Sequence, residues 1–517
     1  MPLPDNREFL KKLQPYTVEL FQLENQPCEI VELPAKKLLN NRRFDLAAKT
    51  LYLQHLQSGF DMNYAKHAYC RHIEAMNPNH REPGQPDKNS IDKYVTTFEE
   101  LFRSFQTDGF RADKTLIPID RDCVLLDGAH RVSCAAVLNM NIRAVRFPEL
   151  DSHWSITADH LRKNLLDEES IDAMCLEFVR QHDDLYMLCL WPSASAEEEW
   201  VSKKIASAAT VVNRREMMLD LNQLTHLMAQ VYMTQDWIGS AENLFGGVSQ
   251  KSTACFKAGQ KTVFYLLECS DFDTIANLKA DIRDHFQMGK HSVHITDTIE
   301  ECRQIADLVF NPNSRHHLLT AFPFRFQSTV KAVYSFAKLL EKNAIDKNRV
   351  VIDSGAVLGI YGLRESSDID FFADIPVAEQ EQLICDGHGI VDSHDDFLKY
   401  HDISKAELLY HPLNYFTFMG MKFVSIPRLI KFKTNRAESK DLIDVKILQQ
   451  CLSASRSSWR LVLLRYQNYW LRNKRYWERK IKDNLFVRPM KFLHLYNVFS
   501  AVRRSVSKCF HGGGEKK

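Results

Sequence analysis

The chain has 517 residues, 45% of them hydrophobic and 26% charged, too long for one hydrophobic core and too apolar for a disordered or fibrous protein, so about two to four globular domains are expected. The formal net charge of +1 excludes a uniformly basic, polyanion-coating chain. The charge is uneven, however: residues 456–517 hold sixteen Lys/Arg against three acids, leaving the rest net acidic by about a dozen.

No apolar stretch approaches the ~20 residues that span a bilayer. The opening MPLPDNREFLKKLQPY has no apolar h-region, so the expected location is cytoplasmic, with a peripheral position on the inner face of the membrane as a further option. Twelve scattered cysteines without a C-x-x-C pair suit a reducing compartment and argue against structural zinc.

In chain order, residues 19–150 form the first region. An amphipathic helix is expected through Tyr94, Phe98, Leu101 and Phe105, followed by strands at Leu116–Ile119 and Val124–Leu126. Asp127-Gly128 then ends a strand, and His130 and Arg131 open a helix. A helix start exposes unpaired N–H groups, and Arg131 adds a fork suited to phosphate. His130 can donate to a phosphate or carry a proton. This Asp-Gly-x-His-Arg turn resembles the ParB/sulfiredoxin fold, which implies ATP or CTP binding at Gly128 and Arg131, with Asp127 and His130 in the chemistry. Ala129 stands where the sulfiredoxin branch has its cysteine, so the form is closer to the kinase and nucleotide-binding members. A base or metal-binding acid would come from the earlier segment, from a residue such as Glu29 or Glu82, and the sequence does not assign it.

Residues 183–315 alternate short strands (YMLCLW, TACF, KTVFYLLE) with helical stretches. The segment LKADIRDHFQMGKHSVHITDTIEECRQIADLVFNP is similar to the C-terminal part of nucleoside diphosphate kinases. The resemblance implies a ferredoxin-like kinase-type domain, with Arg283 on the phosphate, His294 as the phosphohistidine and a turn at Thr296-Asp297-Thr298 before a helix from about Ile299. Tyr232–Gly239 falls where that family has its substrate clamp. Trp191 replaces a lysine, and Lys251 or Lys257 is the candidate substitute. An imidazole beside arginine is chemically suited to phosphoryl transfer. The alternative is a structural or regulatory domain.

Residues 318–452 contain VVIDSGAVLGIYGLRESSDIDFF, a β-branched run, a small-residue turn at Ser354-Gly355, and a strand carrying Asp368 and Asp370. Carboxylates two apart on a strand share a face and can hold one Mg²⁺ or Mn²⁺ with substrate phosphates. The pattern resembles the nucleotidyltransferase fold, with its mixed sheet. The resemblance implies that Asp368 and Asp370 are catalytic metal ligands, and that Ser354, Gly355, Lys433 and Arg436 face the nucleotide phosphates. Arg364, four residues before Asp368, is placed to meet a phosphate or to pair with Glu365 or Asp368. That fold commonly adds a third carboxylate from a later strand. YFTFMGMKFVS has none, which leaves Asp353 or Glu407, or a site of two acids. Lys440 and Asp444 are spaced as a helical i, i+4 pair.

The basic tail, 456–517, interleaves aromatics and cations over 459–510, with Trp459, Tyr466, Tyr469, Trp470, Tyr476 and Trp477 among arginines on helices. That chemistry suits an anionic membrane surface, and also nucleic acid or packing on the preceding domain.

The expectation is therefore an α/β and α+β multidomain protein with a helical basic tail. Its expected activity is transfer of phosphorus-containing groups from a nucleoside triphosphate to a small-molecule or glycan acceptor, a sugar or polyol of bacterial surface-polysaccharide assembly. A nucleotidyltransferase modifying nucleic acid or protein, and a nucleotide-holding scaffold, are the alternatives.

Overall fold

Twelve strands in three separate sheets organise the computed structural model, which describes residues 7–80, 88–453, 463, 466 and 467. The protein is thus a mixed α/β chain with several small sheets and many helices. No described helix is long and apolar enough to cross a membrane.

The first sheet has strands β1 (Glu29–Pro34), β2 (Ile117–Ile119) and β3 (Asn141–Arg146) in the order β1-β3-β2. Alternation along β3 sends Ile142 and Ala144 to a core with Tyr52, Tyr69, Phe98, Phe102 and Val132, while Val145 joins Phe147 and Leu116 on the other face. The expected amphipathic helix is Ile91–Asp108. It is capped by Ser90, whose side chain accepts from Lys93 N–H at 3.4 Å, and it buries Tyr94, Phe98 and Phe105. Leu101 is only half-buried; Phe102 takes the inward position. The expected strand at Val124–Leu126 shrinks to one bridge, Ile119 to Leu125.

The second sheet has β4 (Leu185–Leu190), β5 (Thr210–Met217), β6 (Thr262–Glu268) and β7 (Val293–Ile295), all antiparallel, in the order β5-β6-β4-β7. Both faces are covered, which is why β4 reads as an unbroken apolar run. Leu188 and Leu190 pack with Val201, Ile275, Leu278 and Ile282 of helices Glu198–Ala206 and Phe272–Phe286. Met187 and Cys189 pack on the other side with helices Glu168–Gln181, Leu221–Val231 and Ile299–Phe310. TACF is not a strand. It closes helix Gly247–Cys255, whose buried positions Val248, Lys251, Ser252 and Cys255 follow helical spacing.

The third sheet is mixed, with β8 (Val350–Asp353), β9 (Ile369–Ala373), β10 (Val391–Ser393), β11 (Tyr415–Phe418) and β12 (Met421–Val424) in the order β10-β9-β8-β12-β11. β8 is central, antiparallel to β9 and parallel to β12. The second and third units are joined by Asp307, which accepts from Thr417 Oγ1 at 2.7 Å and Ser314 Oγ at 2.9 Å. Glu407 meets the first unit, accepting from Asp61 N–H at 3.3 Å.

Candidate active site around Asp370

β8 ends on Asp353, whose register partner on antiparallel β9 is Asp370. Register partners share a face, so the two carboxylates lie side by side. On the other flank Asp370 is in register with Asp392 of β10. Asp368 precedes β9 by one residue, two before Asp370, and is exposed. Ser354-Gly355 is not an isolated turn but the start of helix Ser354–Ile360, with Ser354 in the left-handed region at φ 57°. Gly355 permits the close approach that builds the site. A Cβ there would lie 2.4 Å from Ser366 Oγ and 3.4 Å from Asp368 Oδ1. The Ser366 hydroxyl donates to Asp368, and its own N–H donates to Thr329 Oγ1 at 3.1 Å. Asp368 is therefore held in place by the segment that Gly355 admits.

Asp353 is fully buried, and its Oδ2 meets His394 Nδ1 at 3.1 Å and His401 Nε2 at 3.3 Å. His394 Nε2 stands 3.4 Å from Asp370 Oδ1, so one imidazole spans both aspartates. Burial opposes ionisation of Asp353, but His401 and His394 outweigh it and hold the carboxyl well below the usual range. Asp370 goes the other way, up to about 6. Burial is the chief cause; His394 opposes it, and the charges of Asp353, Asp368 and Asp392 add to it.

Among the described residues, no group of three or more His, Cys, Asp or Glu side chains forms a ready cage for a metal ion. The donor set still suits Mg²⁺, which takes one or two carboxylates and completes its shell with phosphates and water. Asp368 is exposed and hard-oxygen, and Asp370 is crowded by like charge that a divalent cation would relieve.

The expected phosphate-binding cations are placed differently. Arg364 grips Asp444 with both arms at 3.1 and 3.2 Å. Lys433 Nζ lies 2.9 Å from Asp441 and 3.0 Å from Asp444, and Arg436 holds Asp441 through two bonds of 2.8 Å. Asp441 and Asp444 are buried carboxylates on helix Ser439–Ser453, and buried charge must be paired. Lys440 pairs with Glu438 at 2.9 Å rather than with Asp444.

In the first unit, Gly128 caps helix Ala129–Val137 at φ 91°. Arg131 folds back onto Asp127 at 3.0 Å and also donates to Thr115, while Asp127 is half-buried. His130 Nε2 meets the Tyr69 hydroxyl at 2.9 Å, and its ring stands edge-on to Phe98. Burial, with Lys49 nearby, pushes His130 well below its ordinary value. Glu29 pairs with Arg146 at 3.4 Å, and Glu82 lies outside the described residues.

In the second unit, His294 sits on β7, 7% exposed, and its Nε2 has no hydrogen-bond partner among the described residues. The same is true of Arg283 Nε on helix Phe272–Phe286. Burial first, then Lys279, bring His294 down to about 3. Tyr232 packs edge-on at 5.0 Å, and Lys251 lies over the Tyr232 ring at 4.8 Å, donating to the Lys290 carbonyl at 2.7 Å. The helix expected near Ile299 begins there, capped by Thr298.

Sequence reasoning did not single out His394, His401 or Asp392. The only signal was their recurrence in DSHDDFLKYHD, downstream of Asp368 and Asp370. The membrane-facing reading of 459–510 falls almost wholly outside the described residues; Tyr466, which is described, is 69% exposed. Comparison with protein-family models, with curated proteins and with solved structures gives no match.

Proposed function

We propose that the protein transfers a phosphorus-containing group from a nucleoside triphosphate to a hydroxyl acceptor, a sugar or polyol being the class in view, at Asp368 and Asp370. One observation carries this reading. Asp368 is held by Ser366 against a helix start where Gly355 leaves room for it, and Asp370 stands in register with Asp353 and Asp392, so the acids cluster. Asp368 and Asp370 would hold the divalent ion. When bound, that ion would neutralise phosphate oxygens and align them for displacement. Ser366 orients Asp368, and His394 lies against Asp370. The mixed sheet centred on β8 supports a nucleotidyltransferase-type domain, and the β1–β3 sheet with its Gly128 turn supports a ParB/sulfiredoxin-like one.

The test is release of pyrophosphate or ADP from a panel of nucleoside triphosphates with Mg²⁺. Asp368→Ala or Asp370→Ala lowers release at least ~100-fold, whereas His130→Ala leaves it intact. Release unaffected by either aspartate change refutes the reading.

A second reading applies to the middle unit. The β5-β6-β4-β7 order supports a ferredoxin-like domain of the nucleoside diphosphate kinase type, and the unpartnered His294 Nε2 beside Arg283 supports a phosphate site. Acid-labile phosphate on the protein, absent from His294→Ala, tests it.

A further inference from the structure

Asp353 poses a question that the proposed function leaves open. It lies across from Asp370, where a third carboxylate would complete a metal site, yet it is fully buried and its Oδ2 is committed to two histidine rings. A carboxylate so engaged is a poor ligand for an ion at the mouth of the site. It is a good anchor for a ring, because a hydrogen bond at Nδ1 fixes the orientation of Nε2.

The His394 ring has little freedom. It is 6% exposed, and its backbone N–H donates to the Phe371 carbonyl at 2.8 Å. Its ring centroid lies 4.9 Å from Phe397, 5.9 Å from Phe372 and 6.0 Å from Phe432. His401, the second ring on Asp353, stacks on Phe432 at 4.6 Å and is fully buried. Apolar packing thus fixes both imidazoles around one carboxylate, and the single edge of this assembly that reaches the site is His394 Nε2, 3.4 Å from Asp370 Oδ1.

We infer that Asp353 is not a metal ligand but the anchor of His394, and that His394 is a positioning residue that holds the Asp370 carboxylate in its ion-facing orientation. Protein ligation of the ion then rests on Asp368 and Asp370 alone. Among the described residues His394 is the neutralising side chain paired with Asp370, which otherwise faces Asp353, Asp368 and Asp392. The inference rests on the metal-site reading above, and the experiment separates the two.

Mn²⁺ titration of the full chain, followed by electron paramagnetic resonance without nucleotide, reads ion binding independently of turnover. Asp370→Ala abolishes binding, and His394→Ala weakens it about 10- to 100-fold, the usual cost of losing an outer-shell partner. Added imidazole restores part of the loss in His394→Ala, which a merely structural defect would not allow. Asp353→Asn weakens binding to a similar extent in the wild-type background and adds nothing in the His394→Ala background, since it acts only through that ring. His394→Gln replaces the alanine variant if thermal unfolding shows that the latter does not fold. If Asp353→Asn costs a further tenfold or more without His394, Asp353 is a ligand and the inference is wrong. Wild-type affinity in His394→Ala or His394→Gln overturns it as well, with the metal site standing. Wild-type affinity in Asp370→Ala removes the metal-site reading itself.

Discussion

Asp353 and Asp370 are register partners on adjacent strands, yet their carboxyl groups are driven in opposite directions, Asp353 well below its ordinary range and Asp370 up to about 6. The difference lies in what each one faces. Asp353 receives two imidazoles in a buried pocket, whereas Asp370 shares one of them and is flanked by three acids. Neighbouring titratable groups with diverging values mark sites where charge is managed for chemistry.

Removing Asp353 takes the carboxylate partner from two buried rings. Asp353→Ala is expected to destabilise the protein by about 3 to 5 kcal/mol, the cost of breaking a buried ion pair from one side. The stability it confers is present above the unfolded carboxyl value and fades as pH falls through the lower folded one. Urea midpoints at neutral pH measure the loss, and an equal loss in His401→Ala and in the double variant would show that Asp353 and His401 act as one unit.

Gly355 is the second lever. Because a Cβ would press on Ser366 Oγ at 2.4 Å, Gly355→Ala must displace Ser366, and with it Asp368. The expected cost is about 1 to 3 kcal/mol of stability. Pyrophosphate release is expected to fall further than in Ser366→Ala, which only removes the orienting hydroxyl. Steady-state release together with denaturation midpoints separates the two effects.

Much of this was legible in the chain and some was not. Asp368, expected on the strand carrying Asp370, lies just before it, but that strand, the strand ahead of Ser354 and the helix carrying Lys433 follow from local periodicity and spacing. What each charged group meets does not. Arg364 and Asp444 are eighty residues apart in sequence and bond only because helix Ser439–Ser453 packs beside the loop before β9. His394 acquires its role from a strand register that no short motif encodes. β5 is not among the expected strands, because Arg214, Arg215 and Glu216 interrupt its apolar pattern. It is an edge strand, and those charges pair outward, Arg214 with Glu198 and Arg215 with Glu168.

The Arg364, Lys433, Arg436, Asp441 and Asp444 cluster carries a stability prediction. Lys433 is 1% exposed and bridges both acids. Lys433→Met is expected to cost about 3 kcal/mol, since each carboxylate stays buried with one partner fewer. Lys440→Met, which removes only the exposed pair with Glu438, is expected to change stability by less than ~0.5 kcal/mol. Thermal unfolding without nucleotide tests both. A neutral Lys433→Met would free that side chain for phosphate binding instead.

His55 and His411 meet edge to face at 4.8 Å where the first and third units touch, both buried. Burial is the main reason that each is brought down to about 4; for His55 the nearby His411 adds to it. Both rings are therefore neutral in the folded protein at pH 5, where the unfolded chain, titrating near 6.5, has already taken up protons. Their contribution is complete above about pH 6.5 and is lost as pH falls toward 4. Between pH 7 and pH 5 each ring accounts for about 2 kcal/mol of lost stability. His411→Leu should reduce the pH 7 to pH 5 drop by that amount in urea titrations followed by tryptophan fluorescence. The double variant with His55→Leu should reduce it by roughly twice as much, less whatever the rings contribute through each other. A drop unchanged in both variants would mean that the rings take up protons in the folded state, and that the contact between the two units opens before the domains unfold.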